Sequence, residues 1–441
     1  MAAIKLVYVG GGSSRAAGTM ASFLWHGEEF AGSQVVLVDQ DAERLEIVRE
    51  IAVRIARATG VDIDIQATTD RRAGLTDADA VLTSFRPGDF AARVLDERIP
   101  IKHGVIGQET QGPGGFMMAL RSIHVMADIV EDLHAVAPGA VIFNYTNPVN
   151  IVSQALTRFT DVPVYSMCEG PIFFPNSTLR AAGLDPERAT VTMAGVNHNC
   201  WSFEHTYDGA DLMPLLDAAW EARKDDPTMD VFERRMLQLA VTMRSVPADY
   251  FQYYFYGPQI LREQQAAPRT RAEDILAALP GYWEHYVEQA RTDHPDLDPA
   301  RSRGGIHELE LAIDVMSAYY NNTGARLPVN LPNVGGALPG FDEDVVVEMW
   351  CTVDAAGVHP QEQRALPHAV RGITQALAEY QYVAAEAAWS GSRRDAVRAL
   401  VLLVVLGLGV LISTVSSTQA QAIQGAIMVM LPQVLLSGFI F

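Results

Sequence analysis

The chain has 441 residues, a formal net charge of -20 at pH 7 and a sequence pI near 4.9. Because nucleic-acid binding needs clustered cations, this acidic balance argues against a nucleic-acid partner. Hydrophobic residues make up 49% of the chain, enough for a large core in two or three domains or one large α/β unit. Cys168, Cys200 and Cys351 are too few for a disulfide framework and suit a reducing compartment.

The first predicted elements form a strand, a glycine turn and a helix. A strand over residues 4–9 precedes a helix over residues 15–25, and the turn between them consists of Gly10, Gly11, Gly12, Ser13 and Ser14. Such a turn presents backbone N–H groups and the positive end of a helix to a pyrophosphate. The start of the chain also lacks the features of a signal peptide, so we expect a cytoplasmic protein.

A second predicted strand, over residues 34–38, ends at Asp39. This acid lies 29 residues after Gly10 and can accept a hydrogen bond from an adenosine ribose hydroxyl, which favours NAD over NADP. The motif GGGSS departs from the usual GxGxxG, and on its own it also fits an ordinary strand-to-helix turn. Together with the strand and the acid, it favours a dinucleotide site.

The next segment alternates between apolar elements and polar stretches at strand ends. We predict a helix over residues 41–59, a strand over residues 79–85, and then a long polar loop over residues 86–115. A helix over residues 116–136 and a strand over residues 140–145 follow, and Asn147 lies just after this strand. Carboxyl ends of parallel strands form the crevice of an open sheet, so this loop and Asn147 are expected to line a site.

Two later apolar runs end in YSMCEGP and AGVNHNCW, which contain Cys168 and His198. If both runs are strands, these side chains can meet at one edge of the sheet and form a pair of metal ligands. Two protein ligands would leave open positions for water or substrate oxygens, as in catalytic metal sites. The alternative is a buried cysteine that acts as a small hydrophobe and a histidine satisfied by hydrogen bonds.

From residue 1 to about residue 400 the chain resembles the NAD- and metal-dependent glycosidases of glycoside hydrolase family 4. The motifs that carry the resemblance are GGGSS, LDERIPIKHGVIGQETQGPGG, FNYTNP, the two motifs around Cys168 and His198, SVPADYFQYYFY and LPVNLPNVGGALPG. The resemblance implies an α/β fold with a Rossmann-like doubly wound parallel sheet, similar to lactate and malate dehydrogenases, over residues 1–198. It implies an α+β domain over residues 199–400 for substrate, metal and oligomer contacts, in a homodimer or homotetramer.

The resemblance also implies roles for individual residues. Cys168 and His198 match the ligands of a divalent metal, Mn²⁺ in this family, although a thiolate and imidazole pair on its own would favour zinc. Tyr250 matches the catalytic base, and Glu109 the acid that raises its basicity. Three further matches are substrate-binding positions: Arg93, Asn147 and Arg271. Glu169 takes the place of the proposed proton donor, where aspartate, asparagine or histidine is commoner in the family.

The chemistry implied by the resemblance differs from the two-carboxylate mechanism of most glycosidases. Transfer of hydride from the sugar C3 to NAD makes a ketone that acidifies the C2 hydrogen. A base then removes that proton, the C1 substituent leaves, water adds, and the hydride returns without net redox change. The expected substrate is a 6-phospho-glucoside.

Three other functions stay open at this point. The first is hydrolysis of an unphosphorylated sugar, as an α-galactosidase, α-glucosidase or α-glucuronidase of the same family. The second is an NAD-dependent 2-hydroxy acid dehydrogenase on the shared fold, although the histidine relay expected of such an enzyme is missing. The third is an inactive or membrane-tethered chimera.

The chimera hypothesis rests on the apolar tail over residues 401–441. No side chain from residue 399 to the end is ionisable, and the tail is similar to a segment of ABC-2-type transporter permeases. Its first apolar run approaches the length needed to span a bilayer. We therefore expect either a membrane segment or a fused piece here, and a buried terminal helix is the alternative.

Overall fold

The computed structural model describes residues 1–303 and 309–403. Twelve strands within these ranges form one sheet: β1 Lys5–Val9, β2 Ser33–Val38, β3 Ile63–Thr68, β4 Ala80–Thr83, β5 Val141–Asn144, β6 Val164–Ser166, β7 Ala189–Val196, β8 Asn199–Tyr207, β9 Ala210–Asp211, β10 Ala325–Pro332, β11 Val346–Asp354 and β12 Gly357–Pro360.

The named α-helices are α1 Ala16–Trp25, α2 Ala42–Thr59, α3 Arg71–Leu75, α4 Asp89–Lys102, α5 Gly112–Val136, α6 Val149–Phe159, α7 Gly170–Ala181, α8 Met213–Arg223, α9 Val231–Met243, α10 Gln252–Phe255, α11 Gly257–Ala266, α12 Arg271–Gln289, α13 Glu310–Asn321 and α14 His368–Ser390. A further helix begins at residue 393 and is described as far as residue 403.

The first six strands are parallel and lie in the order β3-β2-β1-β4-β5-β6. This is the strand order of a doubly wound dinucleotide-binding fold, and the order reverses between β1 and β4. The prediction of a Rossmann-like parallel sheet is confirmed. Strands from the second half of the chain extend the same sheet by antiparallel pairing, beginning with β10 beside β6.

Both faces of the parallel part are covered, as the run of apolar residues in β1 requires. Leu6 and Tyr8 belong to one core cluster, whereas Val7 and Val9 belong to another on the opposite face. Successive side chains of a strand point to opposite faces, so each strand contributes to both layers. The carboxyl ends of these strands stay open to the crevice in which the polar residues gather.

The prediction of an uninterrupted loop over residues 86–115 is wrong, because α4 occupies Asp89–Lys102 within it. Several residues on the inward face of α4 are charged and paired: Arg93 binds Glu97, and Asp96 binds Arg121 of α5. A buried charge is tolerated when it is paired. A search for apolar periodicity misses this helix because ion pairs take the place of apolar contacts.

None of the helices in the described part of the chain is long and apolar enough to cross a membrane. The tail hypothesis concerns residues that fall almost wholly outside the described ranges, apart from 401–403. The proposed domain boundary at residue 198 stays a prediction, since β8 continues the sheet directly after it.

Candidate active site

The glycine turn after β1 packs against the ends of the neighbouring strands. Gly10 has a φ of +104°, and a Cβ atom there would lie 2.2 Å from the carbonyl oxygen of Ser84. A Cβ atom on Gly12 would lie 2.9 Å from the side chain of Asp39. Glycine is therefore required at both positions. The buried hydroxyl of Ser13 has no hydrogen-bond partner in the described structure and is available to a ligand.

The carboxylate of Asp39 shapes the same turn. Its Oδ2 accepts from the Gly12 N–H at 3.0 Å, and its Oδ1 accepts from the Gln40 N–H at 2.7 Å. The acid at the end of β2 thus lies against the glycine turn, the arrangement in which an acid reads the ribose of NAD. The geometry of this turn suits a dinucleotide.

His198 lies in the turn between β7 and β8, with a φ of +64°. Its Nδ1 is 3.1 Å from the Thr110 hydroxyl oxygen. Gln108 Oε1 accepts from the backbone N–H of Thr110 and of Gln111, so this atom is an oxygen, and the Thr110 hydroxyl donates to it at 3.0 Å. The hydroxyl oxygen therefore accepts from His198 Nδ1–H, which leaves the Nε2 lone pair available to a metal.

Burial lowers the pKa of His198 to about 4, so the imidazole is neutral near pH 7. A neutral imidazole is the form that binds metals. Tyr250 lies against this ring in a parallel stack, within the 3₁₀ turn Asp249–Phe251. Burial raises the pKa of the Tyr250 phenol, and the nearby Cys168 and Glu109 raise it further. The predicted base is therefore neutral unless a cation acts on it.

Cys168 follows β6 and is the least buried of the three cysteines. Its sulfur accepts from the Gly170 N–H at 3.4 Å. Burial and the carboxylates of Glu348 and Glu169 raise the pKa of the thiol, while the Gly170 N–H and the Asn197 side chain act to lower it. The structure thus stacks His198 on Tyr250 and places Cys168 near enough to Tyr250 to raise its pKa, while the roles of these three residues stay predictions.

The described residues contain no group of three His, Cys, Asp or Glu side chains arranged to hold a metal. Two buried amide oxygens, one on Asn197 beside His198 and one on Asn147 after β5, have no hydrogen-bond partner in the described structure. Their oxygens and the ligand pair fit a divalent cation or a polyhydroxyl substrate.

Glu109 connects Tyr250 to a cluster of arginines. Its carboxylate pairs with Arg86 at 2.5 Å and with Arg93 at 2.9 Å. Burial disfavours its charge, but Arg86, Arg93, Arg303 and Arg15 outweigh burial and lower its pKa. Arg303 also donates to the Ser14 hydroxyl at 3.3 Å. The cluster therefore extends from Glu109 to the glycine turn.

The sequence also predicts that Arg271 binds substrate. In the described part of the chain its side chain makes no direct contact with the arginine cluster around Glu109. Its side chain is exposed at the first position of α12. The next residue, Ala272, donates its N–H to Glu97 at 2.8 Å, and Glu97 accepts from Arg93 at 2.7 Å. Glu97 thus holds the start of α12 close to Arg93.

Glu169 and Asn147 lie at the carboxyl ends of neighbouring strands. Glu169 is at the start of α7, and its Oε1 accepts from the Tyr145 hydroxyl at 2.6 Å. Asn147 follows β5, and its backbone oxygen accepts from Ser122 at 2.9 Å. Their assigned roles in catalysis and substrate binding stay predictions.

Sequence reasoning missed several polar residues that complete this site: Gln108, Thr110, Asn197, Arg303 and Glu348. Thr110 and Asn197 are direct neighbours of Glu109 and His198, so their proximity in the chain is a signal that could have found them. Arg303 lies far in sequence from every motif, and Glu348 lies close only to LPVNLPNVGGALPG, so only the fold reveals their place in the site.

Comparison with known proteins agrees with this geometry. The chain matches the Family 4 glycosyl hydrolase model over residues 5–181 and the Family 4 glycosyl hydrolase C-terminal domain model over residues 193–403. It is 34% identical, over 90% of its length and 91% of the relative, to a Bacillus subtilis (strain 168) protein named "Probable 6-phospho-beta-glucosidase". It is 30% identical to the 6-phospho-beta-glucosidase of Escherichia coli (strain K12), over 90% of both chains.

A solved structure shows the same fold. The 6-phospho-alpha-glucosidase from gut microorganisms, crystallised with NAD and Mn²⁺, is 24% identical and superposes with a TM-score of 0.78 over 94% of this chain and 97% of that one. Matches to both family models and two relatives at 30% identity or above cover nearly the whole described chain. The chain therefore belongs to glycoside hydrolase family 4.

Proposed function

We propose that this protein hydrolyses 6-phospho-glucosides with the help of NAD and Mn²⁺, and that β-linked substrates are preferred over α-linked ones. The observation that carries the proposal is the identity, over about nine-tenths of the chain, to two relatives named as 6-phospho-β-glucosidases. The dehydrogenase and chimera alternatives have no comparable support.

The residues present fit both groups. The glycine turn, the Ser13 hydroxyl and Asp39 would hold NAD, and Cys168 with His198 Nε2 would hold the cation. When bound, NAD supplies reversible oxidation at the sugar C3, and the cation supplies positive charge beside the sugar hydroxyls.

Tyr250 is proposed to remove the C2 proton. Its phenol stacks on His198, and burial raises its pKa, so it needs positive charge nearby to ionise. A cation at His198 is placed to supply that charge. The charge of Glu109 has the opposite effect to the cation. It raises the pKa of the Tyr250 phenol and so makes the phenolate a stronger base once it forms.

The arginine cluster is proposed to bind anionic groups. Arg86 and Arg93 hold Glu109, and burial lowers the pKa of Arg303 to about 9, with Arg15 and Arg86 adding to the effect. Guanidinium groups brought so close together favour an anion such as a phosphate. Because Arg303 donates to the Ser14 hydroxyl of the glycine turn and Arg93 pairs with Glu109, we assign Arg303 to the dinucleotide and Arg93 to the substrate.

Glu169 is proposed to protonate the leaving group at C1. The Tyr145 hydroxyl donates to one of its oxygens, which fixes the carboxyl at the start of α7. The expected homodimer or homotetramer and the cytoplasmic location also stay proposals, which sedimentation and cell fractionation would test.

The proposal is tested with nitrophenyl glucosides in α and β forms, with and without a 6-phosphate, in the presence of NAD, Mn²⁺ and a thiol. We expect the fastest nitrophenol release from the 6-phospho-β-glucoside, dependence on both added groups, and no net NADH. Activity confined to unphosphorylated sugars would exclude the proposed substrate, and steady accumulation of NADH would indicate a dehydrogenase.

A further inference from the structure

Tyr286 of α12 reaches the glycine turn of the proposed dinucleotide site. Its hydroxyl donates to the backbone oxygen of Ser14 at 2.8 Å and accepts from the backbone N–H of Arg303 at 3.0 Å. A phenolic hydroxyl can donate and accept, so it makes both contacts at once. One side chain thus joins the turn after β1 to a residue that follows Ser14 by 289 positions in the chain.

The ring of Tyr286 is fully buried, which fixes the position of its hydroxyl. It belongs to a small core cluster with Ala17 of α1, Ile51 of α2 and Leu297, which follows α12. Trp283, one turn earlier on α12, packs against it edge to face, with ring centroids 5.4 Å apart. A ring enclosed in this way cannot change its rotamer without opening the cluster.

The side chain of Arg303 returns to the same turn. Its Nη1 donates to the Ser14 hydroxyl at 3.3 Å, and its guanidinium carbon lies 4.6 Å from the centre of the Phe90 ring. The backbone of Arg303 is held by Tyr286, and its guanidinium is held by Ser14 and Phe90. Separate contacts therefore keep both parts of this arginine at the glycine turn.

An arginine in this place adds to what the turn already offers an anion. The turn leads into α1, whose first N–H groups and positive dipole end favour a pyrophosphate. Arg303 brings a full positive charge to Ser14, two residues before α1 begins. A long arginine side chain loses rotamer freedom when it binds a ligand, and contacts that hold it beforehand reduce that cost.

We propose that Tyr286 is a positioning residue for the dinucleotide site and acts by holding Arg303 where the pyrophosphate binds. The hydroxyl holds the backbone of Arg303, and the guanidinium makes the contact with the anion. The inference rests on the proposed function for the identity of the cofactor. It means that α12 and the segment after it, both in the second half of the chain, complete the NAD site.

The variants are chosen to separate the hydroxyl from the ring. Tyr286→Phe keeps the ring in its cluster and breaks only the two hydrogen bonds. Tyr282→Phe is the matched control, because Tyr282 lies one turn earlier on α12, packs against the same cluster and takes no part in either hydrogen bond. Arg303→Gln removes the guanidinium, and the double variant with Tyr286→Phe tests whether Tyr286 acts through Arg303.

The first measurement is hydrogen exchange of the Arg303 amide in cofactor-free protein, resolved to single residues by fragmentation mass spectrometry. This N–H donates to Tyr286, so its exchange should be slow in the unaltered protein and about tenfold or more faster in Tyr286→Phe. Tyr282→Phe should not change it. The Arg301 amide, which donates to the Asp298 backbone oxygen at 3.0 Å, is the internal reference.

The second measurement is the dissociation constant by calorimetry for two ligands. ADP-ribose has the pyrophosphate of NAD without the nicotinamide, and glucose 6-phosphate represents the substrate. We expect Arg303→Gln to weaken ADP-ribose binding about 10- to 100-fold and Tyr286→Phe about 3- to 10-fold. In Tyr286→Phe the value for glucose 6-phosphate should stay within about twofold, and the double variant should bind ADP-ribose no more weakly than Arg303→Gln.

Several results would overturn the proposal. An Arg303 amide that exchanges like an exposed one in the unaltered protein would do so, and this result requires no variant to fold. Unchanged ADP-ribose binding in Tyr286→Phe, or a loss that adds to that of Arg303→Gln, would show that Tyr286 does not act through Arg303. A larger loss for glucose 6-phosphate than for ADP-ribose would assign Arg303 to the substrate.

Failure of the proposed function gives a different result. The unaltered protein would then bind neither ADP-ribose nor NAD, and the dinucleotide role of Tyr286 would fall with the proposed function. The exchange of the Arg303 amide would still decide whether Tyr286 holds this residue, because it is measured without any cofactor.

Discussion

The imidazole of His198 stacks on the phenol ring of Tyr250, with ring centroids 3.9 Å apart and planes inclined by 3°. The proposed metal ligand and the proposed base are thus a single packed unit. A cation bound by His198 acts on the adjacent phenol and favours its ionised form, which burial otherwise opposes. Metal binding and base strength are therefore expected to change together.

Replacing Tyr250 with Phe should stop catalysis without disturbing the fold. The substitution removes only the hydroxyl and keeps the ring that stacks on His198. General bases contribute about 10²- to 10⁴-fold to rate, so we expect a loss in kcat of that size. The direct measurement is exchange of the C2 hydrogen of a 6-phospho-glucoside with solvent deuterium, which should cease in the variant.

Tyr256→Phe is the matched control, since its hydroxyl contacts Gln238 and lies in the same tyrosine-rich segment. It should exchange at the unaltered rate. Persistent exchange in Tyr250→Phe would point to Tyr253 as the base, because the Tyr254 hydroxyl donates to Gln111 Oε1 at 2.6 Å.

Changing either proposed metal ligand should remove metal dependence and spare the nucleotide site. Cys168→Ser and His198→Ala each take away one of two protein ligands, and loss of one electrostatic stabiliser typically costs about 3 kcal/mol of transition-state energy, or more than 100-fold in rate. NAD binding, measured by fluorescence titration, should be unchanged because the glycine turn is on other elements. Full activity with either change would exclude that residue as a ligand.

Asp39 should set the preference for NAD over NADP. The ribose phosphate of NADP would meet the charge of this carboxylate at the end of β2. Asp39→Asn keeps an oxygen to accept from the Gly12 N–H, which is 3.0 Å away, but removes the charge. We expect NAD to bind more weakly and NADP more tightly, so that the Kd for NADP divided by the Kd for NAD falls by about tenfold or more, equal to ~1.4 kcal/mol. An unchanged ratio would mean that Asp39 only supports the turn.

Asp249 should make the protein less stable as pH rises. Burial raises its pKa to about 7, although Ser177 and Arg180 act to lower it. The folded chain therefore holds a proton between pH 4 and pH 7 that the unfolded chain has released, so the associated stability declines as pH rises across this range and is gone above pH 7. Each unit of pKa difference is worth ~1.4 kcal/mol, so Asp249→Asn should gain at least ~1 kcal/mol at pH 8 and little near pH 4.

Thermal unfolding at several pH values checks this expectation. The difference in Tm between Asp249→Asn and the unaltered protein should grow from pH 4 to pH 7 and then level off. Asp62→Asn serves as the control, because Asp62 is exposed. A constant difference across the range would show that Asp249 does not titrate as its burial implies.

Much of the parallel half was predictable because its strands and helices carry local signals. Strand β1 is an apolar run that ends in glycines, and α2 begins at an aspartate that caps it and ends at a glycine with positive φ. The inward charges of α4 concealed that helix, since Asp96 pairs with Arg121 of α5 and Arg93 pairs with Glu109 beyond the end of the helix. Pairing between distant residues leaves no periodic trace in the sequence.

The residues of the site also divide into those with a local sequence signal and those placed by contacts between distant parts of the chain. Cys168 and His198 stand in recognisable motifs at strand ends, so their approach could be predicted. Glu348 lies in β11, and its contact with Asn197 depends on β10 and β11 being inserted between β6 and β7. That insertion is antiparallel and long-range, and neither hydrophobic pattern nor turn chemistry specifies it.

The boundary between the folded body and the apolar tail should lie after Leu403. In the helix that begins at residue 393, Ala399 is fully buried, and Leu400 and Leu403 pack against the core cluster that includes α5, α6 and α14. The family's C-terminal domain model also extends to residue 403.

A chain that ends at Leu403 should therefore keep NAD binding and Tm within a few degrees of the full-length value. It should also be easier to keep in solution without detergent, because an uncharged segment is removed. A chain that ends at residue 392 loses the buried contacts of Ala399, Leu400 and Leu403, and losses of ~1–3 kcal/mol for each large apolar side chain predict a clear fall in Tm. Comparing the two truncations by thermal unfolding and light scattering checks both statements. If the chain that ends at Leu403 unfolds while the full-length chain is monodisperse without detergent, the tail is part of the folded core and the proposed boundary is wrong.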